Sequence, residues 1–255
     1  MSNESWQITY PEQTIKYIEA FRRKYWDHAG VCDMVAQAAQ AHFGTTQVSL
    51  AELGCGAGTN LEHLHDHGFA CFGYDRSEES IAICKRNALE SQRDIHYEQM
   101  NFDERLPARQ FDVVVSLFVP ISLSNMAELM DKASEVVKDG GLFICMLLAC
   151  EEKYLGIPEK SVSNAEFMNI DGVDVLRNNI FTKKESLIEF QGAYLANEAS
   201  GLRMFADFDK YDLVTPSNDL PSNTKFIKLA RATVHGKPDQ CPPMTIEVLD
   251  TYKKL

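Results

Sequence analysis

Short apolar runs alternate with helical segments through the middle of the chain. Five runs have the composition of β-strands, and they cover residues 48–53, 70–75, 95–100, 111–118 and 142–149. Most of them are apolar on both faces, which is typical of a parallel sheet with helices on each side. The alternation of strand and helix predicts a doubly wound α/β fold. The predicted helices begin near Thr59, Ser77 and Ser124.

The segments on either side of this core differ from it. Two helices rich in aromatic residues are predicted over the N-terminal 45 residues. After the fifth strand, residues 151–180 are polar and contain Gly156, Pro158 and Gly172. Such a composition indicates a connection or a lid rather than a layer of the sheet. We therefore expect an N-terminal helical cap and an insertion behind the core.

A further pattern follows the insertion. Thr182 and Glu185 have the spacing of a capping box, and a helix is predicted over residues 183–199. Apolar runs over residues 202–214 and 225–234 then predict two more strands. The loop of about ten residues between these two strands allows them to pair antiparallel.

The charge balance disfavours nucleic acid as a partner. The chain has 255 residues, with 25 Lys and Arg against 37 Asp and Glu, and a formal net charge of −12. A surface of this sign repels a phosphate backbone unless a basic stripe overrides it, and the sequence contains no such stripe. The length favours one large α/β domain with a sizeable core.

The cysteines and the apolar stretches bear on the compartment. The seven cysteines are scattered and never form a CxxC arrangement, which fits free thiols in a reducing cytosol. The N-terminus lacks a basic region followed by an apolar one. The longest apolar stretches reach about half of the roughly 20 residues that a membrane span needs. We expect a cytoplasmic protein with no membrane partner.

The stretch AELGCGAGTN, residues 51–60, carries the main chemical signal. Gly54, Gly56 and Gly58 follow a predicted strand and precede a predicted helix. They place bare backbone at the carboxyl edge of the sheet, where open α/β sheets bind ligands. Asp75 ends the next strand, where a carboxylate can accept both hydroxyls of a ribose. The sequence therefore predicts a site for a nucleoside derivative.

The spacing of the glycines separates two kinds of nucleoside ligand. The dinucleotide fingerprint GxGxxG has a small third residue that lets helix and strand approach closely around a pyrophosphate. Here the spacing is GxGxG, and Thr59 occupies the third small position. Glu52 lies just before the loop, where it suits a cation better than a pyrophosphate. These departures favour a positively charged nucleoside.

At these residues the chain resembles the class I S-adenosylmethionine-dependent methyltransferases, whose first motif reads (E/D)xGxGxG. The sequence ELGCGAG matches that motif in full. The resemblance runs from about residue 48 to residue 149 and more loosely to residue 234, since the terminal pair of runs resembles the family's sixth and seventh strands. It implies a Rossmann-like, mostly parallel seven-stranded sheet with an antiparallel last strand, and S-adenosylmethionine as the cofactor.

The resemblance also implies which residues bind the cofactor. The loop would hold the methionine part, Asp75 the ribose and the segment after the third strand the adenine, where either Asn101 or Asp103 would contact the exocyclic amine. The end of the fourth strand would line the sulfonium. It lacks the (D/N)PP(Y/F) signature of enzymes that methylate nucleobase or protein amides, so such substrates are not expected. The candidate cofactor-binding residues are Glu52, Gly54, Cys55, Gly56, Gly58, Asn60, Asp75, Arg76, Asn101, Phe102, Asp103, Ser116, Leu117 and Phe118.

Methyl transfer from a sulfonium is an in-line displacement, so a positioned base is optional and depends on the nucleophile. A structural alternative is that His28 and the aromatic side chains of the N-terminal helices only pack those helices onto the sheet. The corresponding alternative for the acidic pair, Glu151 and Glu152, is an exposed loop. The histidines at positions 63 and 67 have i, i+4 spacing but no evident third ligand, so no metal site is expected. The candidate catalytic residues are His28, Tyr25, Glu151 and Tyr154, and Tyr10 and Glu152 are further candidates.

The pattern and the resemblance together predict N- or O-methylation of a small molecule, with a weak preference for an amine or aromatic metabolite because cations bind well over ring faces. A NAD(P)-dependent oxidoreductase and a non-catalytic nucleoside-binding regulator are the alternatives. We expect a monomer or a homodimer. The expected segments are a helical cap (1–45), a cofactor-binding core (46–150), a lid or substrate-binding insertion (151–180), a C-terminal part of the same sheet (181–240) and a tail (241–255).

Overall fold

The computed structural model describes residues 12–102, 104–119, 123–150, 160–184, 187–212, 225–234 and 245–255. The described helices are α1 (Glu12–Tyr25), α2 (His28–Phe43), α3 (Thr59–Asp66), α4 (Glu78–Glu90) and α5 (Leu123–Val136). The described strands are β1 (Ser49–Leu53), β2 (Ala70–Asp75), β3 (His96–Gln99), β4 (Phe111–Ser116), β5 (Val137–Cys150), β6 (Lys160–Ile170), β7 (Val173–Lys184), β8 (Leu187–Glu198), β9 (Gly201–Asp212), β10 (Phe226–Val234) and β11 (Thr245–Lys254).

Seven strands form the central sheet in the order β10-β11-β5-β4-β1-β2-β3. The pairs from β5 to β3 are parallel. Strand β11 is antiparallel to both of its neighbours, β5 and β10. This arrangement confirms the predicted doubly wound, mostly parallel seven-stranded sheet with an antiparallel last strand.

Apolar side chains on both faces of the central strands explain why this sheet is covered by helices. One hydrophobic cluster joins one face of the sheet to α2, α3 and α4, and a second joins the other face to α5. Local caps fix where the helices begin. Asp27 accepts a hydrogen bond from the backbone N–H of Gly30 at the start of α2, and Ser77 accepts one from that of Ser80 at the start of α4.

A second sheet, with the order β6-β7-β8-β9, is inserted between β5 and β10. All its pairs are antiparallel, as in a meander. Its inner face packs on α1. The Tyr17 hydroxyl donates to Glu198 Oε1 at 2.9 Å, and the ring of Phe21 meets that of Tyr194 edge-on at 5.9 Å. Helix α1 is thereby attached to the second sheet.

Two expectations about the insertion are wrong. Residues 160–184 form β6 and β7 rather than a connection without sheet structure. The segment 183–199, which is predicted as a helix, is largely strand β8. It pairs with β7, and its side chains alternate between the two faces of the sheet. Phe190 and Tyr194 are buried against the inner face, whereas Gln191 is exposed.

The expected pairing at the C-terminus is also wrong. Residues 202–212 lie in β9 and pair with β8 in the second sheet, so the expected common sheet over 181–240 is divided between two sheets. The partner of β10 is β11, which lies in the segment expected to be a tail. The sequence pattern does not predict strand β11, because its central residue Asp250 is charged although it is fully buried.

Every helix among the described residues falls short of the length and apolarity that a membrane span requires.

Candidate functional site

The loop between β1 and α3 is held in a conformation that suits glycine. Gly54, Gly56 and Gly58 have φ angles of 81°, 52° and 84°. The backbone N–H of Gly54 donates to the carbonyl of Tyr74, which ties the loop to the end of β2. A Cβ at Gly58 would lie 2.7 Å from the hydroxyl of Tyr97, so only glycine fits there. The loop is therefore fixed against β2 and β3.

Gly56 differs from Gly54 and Gly58 because no atom of the described residues lies within 4 Å of the position that its Cβ would occupy. The backbone N–H of Gly56 donates to Asp75 Oδ2 at 2.9 Å. Asp75 Oδ1 accepts from the backbone N–H of Ser77, also at 2.9 Å. A carboxylate has about four lone-pair sites, so Asp75 keeps acceptor capacity for a ligand beside the loop.

Glu52, Asn60 and His28 form a buried hydrogen-bonded chain. Asn60 Nδ2 donates to Glu52 Oε1 at 2.6 Å, and Asn60 Oδ1 lies 2.6 Å from His28 Nδ1. Since the amide oxygen of Asn60 accepts, His28 Nδ1 carries the proton and Nε2 carries the lone pair. Glu52 Oε2 and His28 Nε2 are both buried and make no other hydrogen bond. This hydrogen-bonded network thus ends in two buried polar atoms that have no hydrogen-bond partner among the described residues.

Burial shifts the pKa of the two residues at the ends of this hydrogen-bonded network, Glu52 and His28. Glu52 is fully buried, and this desolvation raises the pKa of its carboxyl to about 8. Desolvation lowers the pKa of His28, against the opposing effect of its hydrogen bond to Asn60. His28 is therefore neutral at pH 7. A cation placed beside Glu52 would favour its ionised form.

Three aromatic rings meet where β4 ends. The ring of Trp26 stacks on that of Phe118 with centroids 4.7 Å apart and an interplanar angle of 10°. The His28 ring lies 4.6 Å from Phe118 in a tilted contact. Phe118 has a φ of 53°, which is rare for a bulky side chain and typical of strain near functional sites. The stacking holds Phe118 in this conformation.

Helix α1 packs against the loop between β1 and α3, the glycine loop (residues 54–58). Ile15 packs with Ala57 of the loop in a small buried cluster. The Thr59 hydroxyl donates to Glu19 Oε1 at 2.5 Å. One side of α1 therefore contacts the loop, while its other side packs on the second sheet. The helix joins the two parts of the molecule.

The remaining predicted cofactor residues lie at the same edge of the sheet. Cys55 is a buried residue of the loop itself, and Ser116 Oγ donates to the carbonyl of Leu53 at 3.3 Å. Leu117 is buried in the core at the end of β4. The Asn101 side chain donates to Glu104, and Phe102 packs on the second hydrophobic cluster. Arg76 is exposed.

Several predicted residues lie outside the part of the chain that the structure describes. Tyr25 ends α1, but its side chain is not among the described atoms. Within the described residues no group of His, Cys, Asp or Glu has the geometry of a metal site, and His67 instead pairs with Asp33. Those that lie outside the described residues are Asp103, Glu151 and Tyr154, together with Tyr10 and Glu152.

Sequence reasoning missed Trp26, Glu19 and Cys84 as parts of this site. The aromatic pattern of the N-terminal helices predicts only packing for Trp26. Its contact with Phe118 joins residues far apart in the sequence, so no local signal reveals it. The Cys84 thiol donates to the carbonyl of Gly56 at 3.1 Å, which supports the loop from α4.

Comparison with known proteins gives a family match for the core. A family model described as a methyltransferase domain matches residues 51–145. A ubiquinone biosynthesis O-methyltransferase of Bradyrhizobium sp. is 28% identical over 99 residues, which are 39% of this chain and 39% of that protein. The chain thus aligns with well under two thirds of this relative. The family match confirms the resemblance drawn from the glycine loop.

Solved structures share the fold over almost the whole chain. An amino pentose methyltransferase of Micromonospora echinaspora, solved with S-adenosylmethionine, has a TM-score of 0.67 at 16% identity and covers 94% of this chain and 96% of its own. A sugar N-methyltransferase of Streptoalloteichus sp. has a TM-score of 0.67 at 18% identity and covers 98% and 96%. At such identities the likeness establishes the fold.

Proposed function

We propose that this chain, whose residues 51–145 match a methyltransferase-domain family model, is a class I S-adenosylmethionine-dependent methyltransferase that transfers a methyl group from S-adenosylmethionine to a small-molecule acceptor. The observation that carries this proposal is the open space at Gly56 beside Asp75. Tyr97 and Cys84 support the loop, and no atom in the described part of the chain lies within 4 Å of the Cβ position of Gly56. A ligand can therefore lie against its backbone.

The charges of the site fit this cofactor. Glu52 Oε2 is buried without a hydrogen-bond partner among the described residues, and once Glu52 is ionised this oxygen suits the ammonium of the methionine part. The free acceptor sites of Asp75 suit the two ribose hydroxyls. Phe102 and Asn101 follow β3, and we infer that they contact the adenine ring. A pyrophosphate would instead meet the carboxyl of Glu52, which disfavours NAD(P).

The chemistry divides between the cofactor and the protein. S-adenosylmethionine, when bound, supplies a methyl group on a positively charged sulfur. His28 Nε2 is neutral, carries the lone pair and faces no donor, so it is suited to accept the proton that the acceptor loses. The proton on Nδ1 stays hydrogen-bonded to Asn60, which fixes the ring. The stacked rings of Trp26 and Phe118 exclude water beside it.

The same residues favour an amine among the possible acceptors. A protonated amine is attracted to aromatic faces such as those of Trp26 and Phe118, and to a protein of net charge −12. It must lose a proton before it can attack, and a neutral His28 can take that proton. The relatives named above act, by their names, in ubiquinone O-methylation and sugar N-methylation, so both kinds of acceptor belong in a screen.

The cofactor assignment is tested by calorimetric titration with S-adenosylmethionine. We expect Gly56→Val to abolish binding, because the side chain occupies the ligand's place. Asp75→Ala should weaken binding by about 1–3 kcal/mol, because it leaves the ribose hydroxyls unmatched. The control is Gly172→Val, at a positive φ of 82° with equally open surroundings in the turn between β6 and β7. Unchanged titrations for both site variants would refute the assignment.

The reaction itself is tested with S-adenosylmethionine labelled on its methyl group. The protein is incubated with panels of amines, phenols and aminosugars, and labelled products are identified by mass spectrometry. Transfer to an acceptor from one of these panels supports the enzyme. Tight binding of the cofactor without transfer to any acceptor would favour the non-catalytic regulator, and tight binding of NAD(P) would favour the oxidoreductase.

A further inference from the structure

Two cysteines meet at the glycine loop. Cys55 belongs to the loop, and Cys84 lies on α4. The Cys84 thiol donates to the carbonyl of Gly56 at 3.1 Å, and the Cys55 thiol lies 3.9 Å from the same oxygen. The Cys84 sulfur also lies 3.0 Å from the position that a Cβ at Gly58 would occupy. The side chain of Cys84 therefore fills the space inside the loop.

The two thiols are neighbours of each other. Because both sulfurs contact one oxygen atom, at most 7.0 Å separates them, which is the sum of the two distances to that oxygen. The thiols are also within hydrogen-bonding reach of each other. A disulfide, with a sulfur–sulfur bond of about 2.05 Å, therefore requires a local shift of the loop and no rearrangement of the sheet.

Burial keeps this pair reduced while the loop is closed. Cys55 is 5% exposed and Cys84 is 1% exposed. Burial, together with the hydrogen bond to Cys84, raises the pKa of the Cys55 thiol well above its ordinary value. Since a protonated, buried thiol is a poor nucleophile, Cys55 reacts only from a state in which the loop has transiently opened to solvent.

We propose that hydrogen peroxide converts Cys55 and Cys84 into a disulfide, and that this bond switches off cofactor binding at the glycine loop. The peroxide transfers one oxygen atom to the Cys55 sulfur, which gives a sulfenic acid and one water. When the loop closes, the Cys84 sulfur attacks the Cys55 sulfur, the S–O bond breaks, and the oxygen leaves with the thiol proton as a second water. The two sulfurs lose two electrons, which reduce the peroxide, and a dithiol reductant reverses the reaction.

The bond changes the glycine loop in two ways. Cys84 loses its S–H, so the carbonyl of Gly56 loses that donor. The bond also draws Cys55 toward α4, and the next residue along the chain is Gly56, whose backbone N–H donates to Asp75 Oδ2. The contact between the loop and Asp75 is thereby displaced. This effect on binding rests on the proposed cofactor site, whereas formation of the bond does not.

The bond is tested by mass spectrometry of the natural chain after treatment with hydrogen peroxide and alkylation of the remaining thiols. Cleavage after glutamate and lysine places Cys55 and Cys84 on separate short peptides that contain no other cysteine. We expect these two peptides to be cross-linked, with the loss of two hydrogen atoms, and to separate after reduction with dithiothreitol. Free thiols at both positions, or added oxygen atoms without a cross-link, would overturn the proposal.

Calorimetric titration with S-adenosylmethionine connects the bond to the site. We expect the reduced natural chain to bind, and the peroxide-treated chain to show no binding until dithiothreitol restores it. Cys84→Ser cannot form the bond, so its titration should be the same before and after peroxide. Cys145→Ala, which removes a buried cysteine of β5, is the matched control and should lose binding on oxidation as the natural chain does.

The natural chain alone supplies both measurements, so the test stands even where a variant fails to fold. Saturating S-adenosylmethionine should slow formation of the bond by about 10-fold, because the ligand holds the loop closed. Equal binding before and after the bond forms would refute the switch. A reduced chain that forms the bond on oxidation but does not bind S-adenosylmethionine would instead refute the proposed function and support the dithiol site.

Discussion

At the residue scale, Glu52 shows how one buried carboxyl can weaken the fold that contains it. The unfolded chain ionises this carboxyl near its ordinary pKa of 4.5, whereas burial raises the pKa in the folded protein to about 8. Between these values the folded state holds a proton that the unfolded state has released. The stability of the folded protein therefore falls as pH rises through this window.

Glu52→Gln removes this titration. We expect the variant and the natural protein to have similar stability near pH 5, and the variant to be more stable near pH 8 by up to about 4 kcal/mol. Urea unfolding at several pH values measures the difference. Glu90→Gln on an exposed side chain should follow the natural protein, and parallel curves for Glu52→Gln would contradict the raised pKa.

The same substitution should weaken cofactor binding. The charge-assisted hydrogen bond to the ammonium is worth about 1.5–3 kcal/mol, so we expect the dissociation constant to rise by about 10-fold to 100-fold. In the natural protein, binding should also release a proton from Glu52 below about pH 8, so affinity rises with pH up to that value. Calorimetry in buffers of different ionisation enthalpy counts the proton.

His28 permits a prediction that separates a base from a packing residue. We expect His28→Gln to lower kcat by about 100-fold to 10,000-fold with little change in cofactor affinity. In the natural enzyme, kcat should decline at acid pH through a pKa below 6.5, and the variant should lack that limb. His96→Gln, on an exposed histidine, is the control. Equal losses of cofactor affinity and kcat would indicate packing alone.

The site could be predicted from the sequence only where it is local. The glycine loop with Glu52 and Asn60, and Asp75 at the next strand end, follow from one short stretch and one strand boundary, and the structure brings Gly56 and Asp75 into contact. The stacking of Trp26 on Phe118 could not be predicted, because it depends on how α1 and β4 approach each other.

At the element scale, α1 contacts both the loop between β1 and α3 and the second sheet. Phe21 is fully buried in its contact with the second sheet. We expect Phe21→Ala to cost about 3–5 kcal/mol of local stability. Because Ile15 and Glu19 of the same helix cover the loop, cofactor affinity should also fall, by about 10-fold.

Hydrogen exchange by mass spectrometry measures the loosening of α1 in this variant. The amides of residues 12–25 should exchange faster, while those of β1 and β4 stay protected. Leu89→Ala on α4 is the control, since its side chain is 80% exposed. Unchanged exchange in α1 would show that the helix is held by the loop alone.

The sequence predicts the elements whose apolar residues follow one clear spacing. It does not predict the elements in which a capping pattern or buried charges compete with that spacing. The apolar runs of β1, β2 and β4 and the capped helix α4 match their predictions. Strand β8 was predicted as a helix because Thr182 and Glu185 imitate a cap. In β7 the inward positions include Arg177 and Lys183, which are buried although they are charged, and this hides the alternation that marks a strand.

At the scale of the whole molecule, β11 completes the central sheet. It pairs with both β5 and β10, and its Asp250 is fully buried with both carboxylate oxygens 2.6 Å from the Arg231 guanidinium. A chain that ends at residue 244 would leave one side of β5 unpaired and Arg231 without this partner. We expect it to lose cooperative unfolding in calorimetry.

Removal of Leu255 alone, an exposed residue, should leave the thermal transition in place. A cooperative transition in the chain ending at residue 244 would mean that β11 is an accessory strand. In the complete chain, Asp250→Ala should cost about 3–5 kcal/mol, because it removes one partner of a buried ion pair.

The position of β11 also affects how the protein folds during synthesis. The meander of β6 to β9 pairs only strands that are adjacent in sequence, so it can form as soon as it leaves the ribosomal exit tunnel. Strand β5, in contrast, stays unpaired on one side until its partner β11 has been translated, about a hundred codons later. Throughout that interval the nascent chain displays an open, apolar strand edge. Chaperone binding and translation rate should therefore affect the folding yield of this protein more than that of a protein whose strands pair in the order in which they are translated.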